Sequence, residues 1–237
     1  MSSPLHVLPV RHGSAAENMA VDFLLLQRYP DSGYARFRHY GWHRPSFTFG
    51  FSQKIAWVRS QVAPFLPCDL CRRPTGGGVV DHRDDWTYCL VIPRGHPLEE
   101  CRAPDSYRAV HAALAEGLSA QGVPAVLKRP DPSAPTLPPG LCYSQAEVHD
   151  VIRADTGEKI AGAAQKRNKH GMLFQGYVSR SAAGASVDWE RFHSDFTARL
   201  AATLGSEALD VGFPEFGEGE LESLIEQYAS EDWLCYR

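Results

Sequence analysis

Three short stretches hold the residue types that could do chemistry. In "RRPTGGGVVDH", from Arg72 to His82, Gly76, Gly77 and Gly78 follow two arginines. Three missing side chains let backbone amides lie directly against a ligand's carbonyl or phosphate, which is more bareness than a tight turn needs. Arg72 and Arg73 alternate sides on a strand, so one can face a pocket while the other is solvated or paired. On spacing alone, the stretch is either a binding loop or a flexible hairpin flanked by surface arginines. In "EKIAGAAQ", Lys159 follows a turn and precedes Ala161, Gly162, Ala163 and Ala164. A compact ammonium with space around it suits polarising a carbonyl or stabilising an anion. The plainer alternative is a solvent-facing lysine beside Glu158. Cys142, at the end of a proline-rich segment, is either a buried thiol or an exposed nucleophile, whose thiolate a nearby lysine would favour.

Several chemistries are excluded. No G-x-x-x-x-G-K-[ST] phosphate loop, G-x-G-x-x-G after a strand, or G-x-S-x-G elbow is present. Cys68 and Cys71 have C-x-x-C spacing, but no second pair completes a zinc set, so two semi-buried thiols on a strand are expected and no metal. His82 invites a general-base role and His149 a dyad with Cys142. If Val148 faces a pocket, however, strand alternation turns His149 away.

These residues need elements to position them. Ala15 to Pro30 reads as a helix with Met19, Phe23 and Leu26 on one face and Pro30 stopping it. "ARFRHYGW", "SFTFGFSQ", a strand near Asp69–Arg73, "WTYCLVIP" and "HGMLFQGYV" carry strand signals. "EVHDVIRADTGEKIAGAAQKR" reads as two strands joined by a turn at Asp155–Gly157. A helix capped by Asp105 or Ser106 presents Tyr107, Val110, Leu114 and Leu118 as one stripe. Two helices close the chain, one capped by Ser186 or Asp188 and ended by Gly205, the other in "GELESLIEQYAS". After the helix that starts near Asp105, prolines 130, 132, 135, 138 and 139 demand a long irregular segment. The plan is α+β, or mixed α/β: a mixed, mostly antiparallel sheet with packed helices, in a single domain over 1–237.

With 24 basic against 28 acidic residues, the net charge of −4 argues against a dedicated nucleic-acid binder. Apolar runs are too short to span a membrane, and the N-terminus lacks a secretory pattern, so a cytoplasmic location is expected. Six cysteines do not make a disulfide framework at this length.

The segments "ENMAVDFLLL", "YGWHRPSFTFGFSQ", "RRPTGGGVVDH", "WTYCLVIP", "CYSQAEVHDVI" and "KIAGAAQKRNKHGMLFQG", in this order, resemble the lipoate–protein ligase and octanoyltransferase family. The resemblance implies the biotin/lipoate ligase-like catalytic domain, here without the C-terminal accessory domain that many ligases carry. It implies that the bare glycine loop lies against an acyl chain and that Lys159 contacts the acyl carbonyl oxygen. Cys142, preceding a segment that ends in Asp150, matches the cysteine of the single-domain octanoyltransferases, although Ala146-Glu147 stands where the family often has proline–serine.

The implied activity is transfer of an octanoyl or lipoyl group to a lysine of a lipoyl-carrier domain through a Cys142 thioester. Acyl carrier protein would be the donor. Glycine-cleavage H protein or a 2-oxoacid dehydrogenase E2 would be the acceptor, and no cofactor is needed. Catalysis would fall to Cys142 and Lys159, and substrate binding to Arg72, Arg73, Gly76, Gly77, Gly78, Val79, His82, Gly162 and Ala163. His82 would mainly shape the pocket, and Trp42, Phe49 and Val79 are candidate tunnel walls. The alternatives are an ATP- and Mg²⁺-dependent lipoate ligase, or a non-catalytic binder of acylated carrier domains. A biotin ligase fits less well, because its glycine loop has a different pattern. An acyltransferase loses activity with either Lys159 or Cys142 replaced, a ligase survives Cys142→Ala, and a binder keeps its affinity through both changes.

Overall fold

The computed structural model describes residues 3–131 and 146–236. The expectations for Cys142 and for most of the proline-rich segment before it lie outside these residues. Strands β1 (Leu5–Val7), β2 (Arg11–Gly13), β3 (Ala35–Trp42), β4 (Ser46–Phe49), β5 (Asp69–Arg72) and β6 (Val79–Asp81) occupy the first third of the chain. They are followed by β7 (Asp85–Pro93), β8 (Ala125–Leu127), β9 (Val151–Arg153), β10 (Lys159–Asn168), β11 (Gly171–Ser179) and β12 (Ala208–Asp210). The helices are α1 (Ala15–Gln27), α2 (Ile55–Val62), α3 (Pro97–Glu100), α4 (Ala103–Ser119), α5 (Arg180–Ala183), α6 (Trp189–Thr203), α7 (Glu220–Ala229) and α8 (Glu231–Leu234).

Among the described residues the strands form two sheets. The large one runs β12-β1-β3-β7-β11-β10-β9-β8, with β2 beside β3, and the small one runs β5-β4-β6. Pairing is parallel at β12–β1–β3 and β2–β3 and antiparallel from β3 through β8. The architecture is therefore the mixed, mostly antiparallel α+β plan read from the sequence.

Burial on both faces explains why β7 reads as a continuous apolar run. Trp86, Tyr88, Leu90 and Ile92 enter the core beneath α4 and α6, whereas Cys89 and Val91 enter the core beneath α1 and α7. Ser14 starts α1 with a capping box: its hydroxyl accepts from Glu17 N at 3.1 Å, and Glu17 Oε2 accepts from Ser14 N at 3.4 Å. The helix ends at Gln27, ahead of Pro30.

One expectation at this level is corrected and one is narrowed. Neither Asp105 nor Ser106 caps α4; the helix starts at Ala103 with proline in its first turn, where a missing N–H costs nothing. Of the two caps offered for α6, Asp188 holds the position, accepting from Glu190 N and Arg191 N. Helix α2 and the three-residue strands β1, β2, β8 and β12 were not readable, because so short an element shows no alternation. No helix among the described residues is long and apolar enough to cross a membrane.

Candidate active site

The glycine loop hangs between β5 and β6 and folds back over the end of β4. A Cβ on Gly50 would lie 1.9 Å from the Gly77 carbonyl oxygen, so the chain needs glycine at 50 to let the loop approach. Gly77 itself sits at φ 91°, in the left-handed region. Gly50 N donates to Gly78 O at 3.1 Å, and Phe51 N to Thr75 O at 2.9 Å.

The two arginines part company. Arg73 Nη2 donates to Gly76 O at 2.8 Å and Gly78 O at 3.0 Å, and its Nη1 donates to Thr48 Oγ1 at 2.9 Å. It thereby gathers the loop's carbonyls inward. Arg72 points the other way and binds the carbonyls of Gln53, Trp233 and Leu234 at 2.9, 3.0 and 2.6 Å. It ties the end of α8 to the chain after β4.

The chain of contacts continues from Thr48 to His82 at 2.7 Å and from His82 Nδ1 to Asp85 at 2.6 Å. An ionised carboxylate only accepts, so the contact with Asp85 places a proton on His82 Nδ1. Trp42 stacks on this imidazole with ring centroids 4.2 Å apart.

Lys159 opens β10, and its ammonium lies 2.7 Å from Asp150 Oδ2, with side-chain exposures of 6% and 8%. Such a pair needs further hydrogen bonds to hold its carboxylate. Asp150 receives one from Glu147 N at 2.7 Å. Gly162 makes the room: a Cβ there would lie 2.8 Å from Lys159 Cε and 3.0 Å from Asp150 Oδ1. Residues 147–150 form a turn before β9 rather than a strand, with His149 at φ 73°. Val148 nevertheless lines the pocket and His149 does not.

Between the loop and the lysine lies a cavity of about 250 Å³. Arg73, Gly76, Gly77 and His82 line one side, and Lys159, Asp150 and Ala163 the other, with Met19, Tyr40, Tyr107 and Gln175 completing the wall. Arg72, Gly78, Val79 and Gly162 are not among the lining residues; neither are Trp42 and Phe49. Val79 and Phe49 instead fill the core under the small sheet. Cys142 lies outside the described residues.

A second network reaches the loop from behind. Thr75 donates to Gln175 Oε1 at 2.8 Å, and Gln175 Nε2 donates to Asp22 Oδ2 at 2.7 Å. Asp22 also pairs with Arg38 at 2.7 Å and accepts from the Tyr40 hydroxyl at 3.0 Å. Burial, reinforced by Asp22, holds the Tyr40 phenol well above its usual range and therefore protonated. Asp150, Thr48 and Gln175 were not singled out as site residues from the sequence. For Asp150 the sequence offered only its place as the acid ending the segment after Cys142; a register shift between Lys159 and Ala161 in the β9–β10 pairing, which spacing does not show, sets it beside Gly162.

The sequence profile of the lipoyl protein ligase A/B catalytic domain matches residues 14–192. The chain belongs to this family. The octanoyltransferase LipM of Kyrpidia tusciae is 26% identical over 264 residues, covering 93% of this chain and 94% of that protein. LipM of Symbiobacterium thermophilum is 25% identical over 274 residues, covering 98% of each. Among solved structures, the bi-partite lipoate protein ligase of Thermoplasma acidophilum superposes with a TM-score of 0.72 at 18% identity, over 100% of this chain and 98% of that one. A lipoate-protein ligase A bound with ATP gives 0.71 at 18% identity, over 98% of each chain. At that identity the structures establish a shared fold. The order of motifs from α1 to β11 is thus that of the lipoyl protein ligase A/B catalytic domain.

Proposed function

We propose that this protein transfers an octanoyl or lipoyl group from the thioester of an acyl carrier protein to a lysine of a lipoyl-carrier domain. The observation that carries the reading is the buried Lys159–Asp150 pair facing a bare glycine loop across one cavity. A volume of about 250 Å³ lies below the roughly 300–1,000 Å³ of typical small-molecule pockets and suits a single unbranched chain. Each methylene buried there contributes about 0.8 kcal/mol, which favours an eight-carbon acyl group over shorter ones.

In this mechanism the Cys142 thiolate attacks the thioester carbonyl. The bond from that carbon to the carrier's sulfur breaks, and the carrier leaves as thiolate, taking up the proton that Cys142 gave up on ionising. The Lys159 ammonium stands beside the acyl carbonyl and stabilises the oxyanion, and Arg73 holds the facing loop in shape. The acceptor's lysine, as a neutral amine, then attacks the enzyme thioester. An amide forms, and the sulfur of Cys142 leaves as thiolate while the amine's proton departs. No cofactor is consumed. The full-length similarity to proteins named octanoyltransferase LipM supports this reading over ligation.

Acceptor-domain acylation from an octanoyl-carrier thioester, followed by mass spectrometry with ATP omitted, tests it. Acylation without ATP is expected, with loss in Cys142→Ala. Acylation that requires free lipoate, ATP and Mg²⁺ and survives Cys142→Ala would instead make the protein a ligase. Binding of the acylated carrier with no turnover under either condition would leave a binder.

A further inference from the structure

Helix α4 sends two side chains from successive turns toward the site. Tyr107 lines the cavity, and His111, four residues on, is fully buried behind it with ring centroids 5.8 Å apart. His111 Nδ1 lies 2.7 Å from the carbonyl oxygen of His149. A carbonyl only accepts, so Nδ1 carries the proton, and Nε2 is a buried lone pair with no hydrogen-bond partner among the described residues. Burial lowers the pKa of this imidazole, consistent with the neutral tautomer.

The accepting residue is the strained one. His149 holds φ 73°, a left-handed conformation uncommon outside glycine, in the residue just before Asp150. The backbone around it is bracketed from β8's end: His149 N donates to Lys128 O at 3.0 Å, and Lys128 N to Asp150 O at 2.8 Å. The Lys128 ammonium donates to Ala146 O. His111 supplies the only side chain among the described residues that bonds the His149 carbonyl from the core.

We infer that His111 is a positioning residue: through the His149 carbonyl it fixes the left-handed turn that presents Asp150 to Lys159. This deepens the reading of Lys159 as the working ammonium and rests on it. A neutral donor is required at this position, and the ring's bulk is not. Asparagine can place an N–H near the position of Nδ1, whereas leucine fills the space and donates nothing.

The test compares His111→Leu, His111→Asn and Asp150→Asn in two assays on the full chain. The first is ATP-free octanoyl transfer with kcat and KM resolved. The second is the rate at which Lys159 is acetylated by acetic anhydride, read by peptide mass spectrometry without any substrate. His111→Leu is expected to lower kcat by ~10- to 100-fold, as small misplacements of reacting groups do, with KM little changed. It should expose Lys159 to acetylation as Asp150→Asn does. His111→Asn is expected to restore both to near the parent. Loss in leucine and asparagine variants alike would reduce His111 to packing and overturn the inference. So would a leucine variant that keeps parental kcat and Lys159 protection. Because acetylation of Lys159 needs no turnover, it still decides the matter if the protein proves not to be a transferase.

Discussion

Lys159 and Asp150 meet because position 162 has no side chain, so the placement of this ammonium depends on a glycine three residues away. Replacing Gly162 with alanine puts a methyl within 3.0 Å of both partners, at 2.8 Å from Lys159 Cε. Octanoyl transfer by Gly162→Ala should fall at least ~10-fold in kcat, since sub-ångström errors at the reacting centre are costly, while a thermal melt shows the fold intact. Lys159→Met should lose about 10²–10³ in kcat, the usual effect of removing one oxyanion donor. Steady-state transfer kinetics check both, and parental kcat in either variant would contradict the assigned role. At this scale the sequence was half legible. Strand alternation required Arg72 and Arg73 to diverge. It could not say which faced inward, because that depends on α8 offering its carbonyls to Arg72 from more than 150 residues away. Asp150 was visible only as the acid ending a motif. Its partnership with Lys159 is a tertiary contact between a turn and a strand start, and spacing does not encode it.

The glycine loop as an element is held from two sides, by Arg73 and by the Thr75–Gln175–Asp22 network. Neither β4 nor α1 belongs to the loop, yet each determines its shape. Gly50→Ala would drive a methyl into the Gly77 carbonyl, 1.9 Å away, and the backbone must yield. On the proposed function, KM for the octanoyl donor should rise at least ~10-fold, since 1.4 kcal/mol is already tenfold in affinity. Asp22→Asn leaves Arg38, 2% exposed, as an uncompensated buried cation. It should destabilise the fold by about 3–5 kcal/mol, measured as a shift in urea midpoint at constant slope. The strand pattern of "SFTFGFSQ", which holds Gly50, was clear in the sequence. What approached it was not, since the loop returns from 27 residues later. Helix α2, which backs the small sheet, carried only two buried residues, Val58 and Val62, too few for a periodic signature.

At the scale of the whole molecule, the mixed, mostly antiparallel sheet with packed helices was legible from the strand runs that became β3, β7 and β11. The edges of the sheet were not, because β8 and β12 are three residues each. The core also carries histidines whose titration bears on stability. Burial pulls His39 from 6.5 down to about 4, and it lowers His111 and His193 too. The unfolded chain therefore takes up protons before the folded one does. This contribution to stability is whole above about pH 6.5 and is lost as pH falls toward 4. The urea midpoint should drop between about pH 7 and pH 5, with His39 alone accounting for on the order of 2 kcal/mol, and His39→Gln should flatten the slope. A midpoint that is flat or rises on acidification would contradict this. On the proposed route the acyl group passes through the protein on the sulfur of Cys142. Intact mass after mixing with an octanoyl-carrier thioester, without ATP, tests it most directly. An octanoyl adduct is expected that hydroxylamine removes and that Cys142→Ala never forms. No adduct, together with ATP-dependent labelling of an acceptor domain by free lipoate, would contradict it.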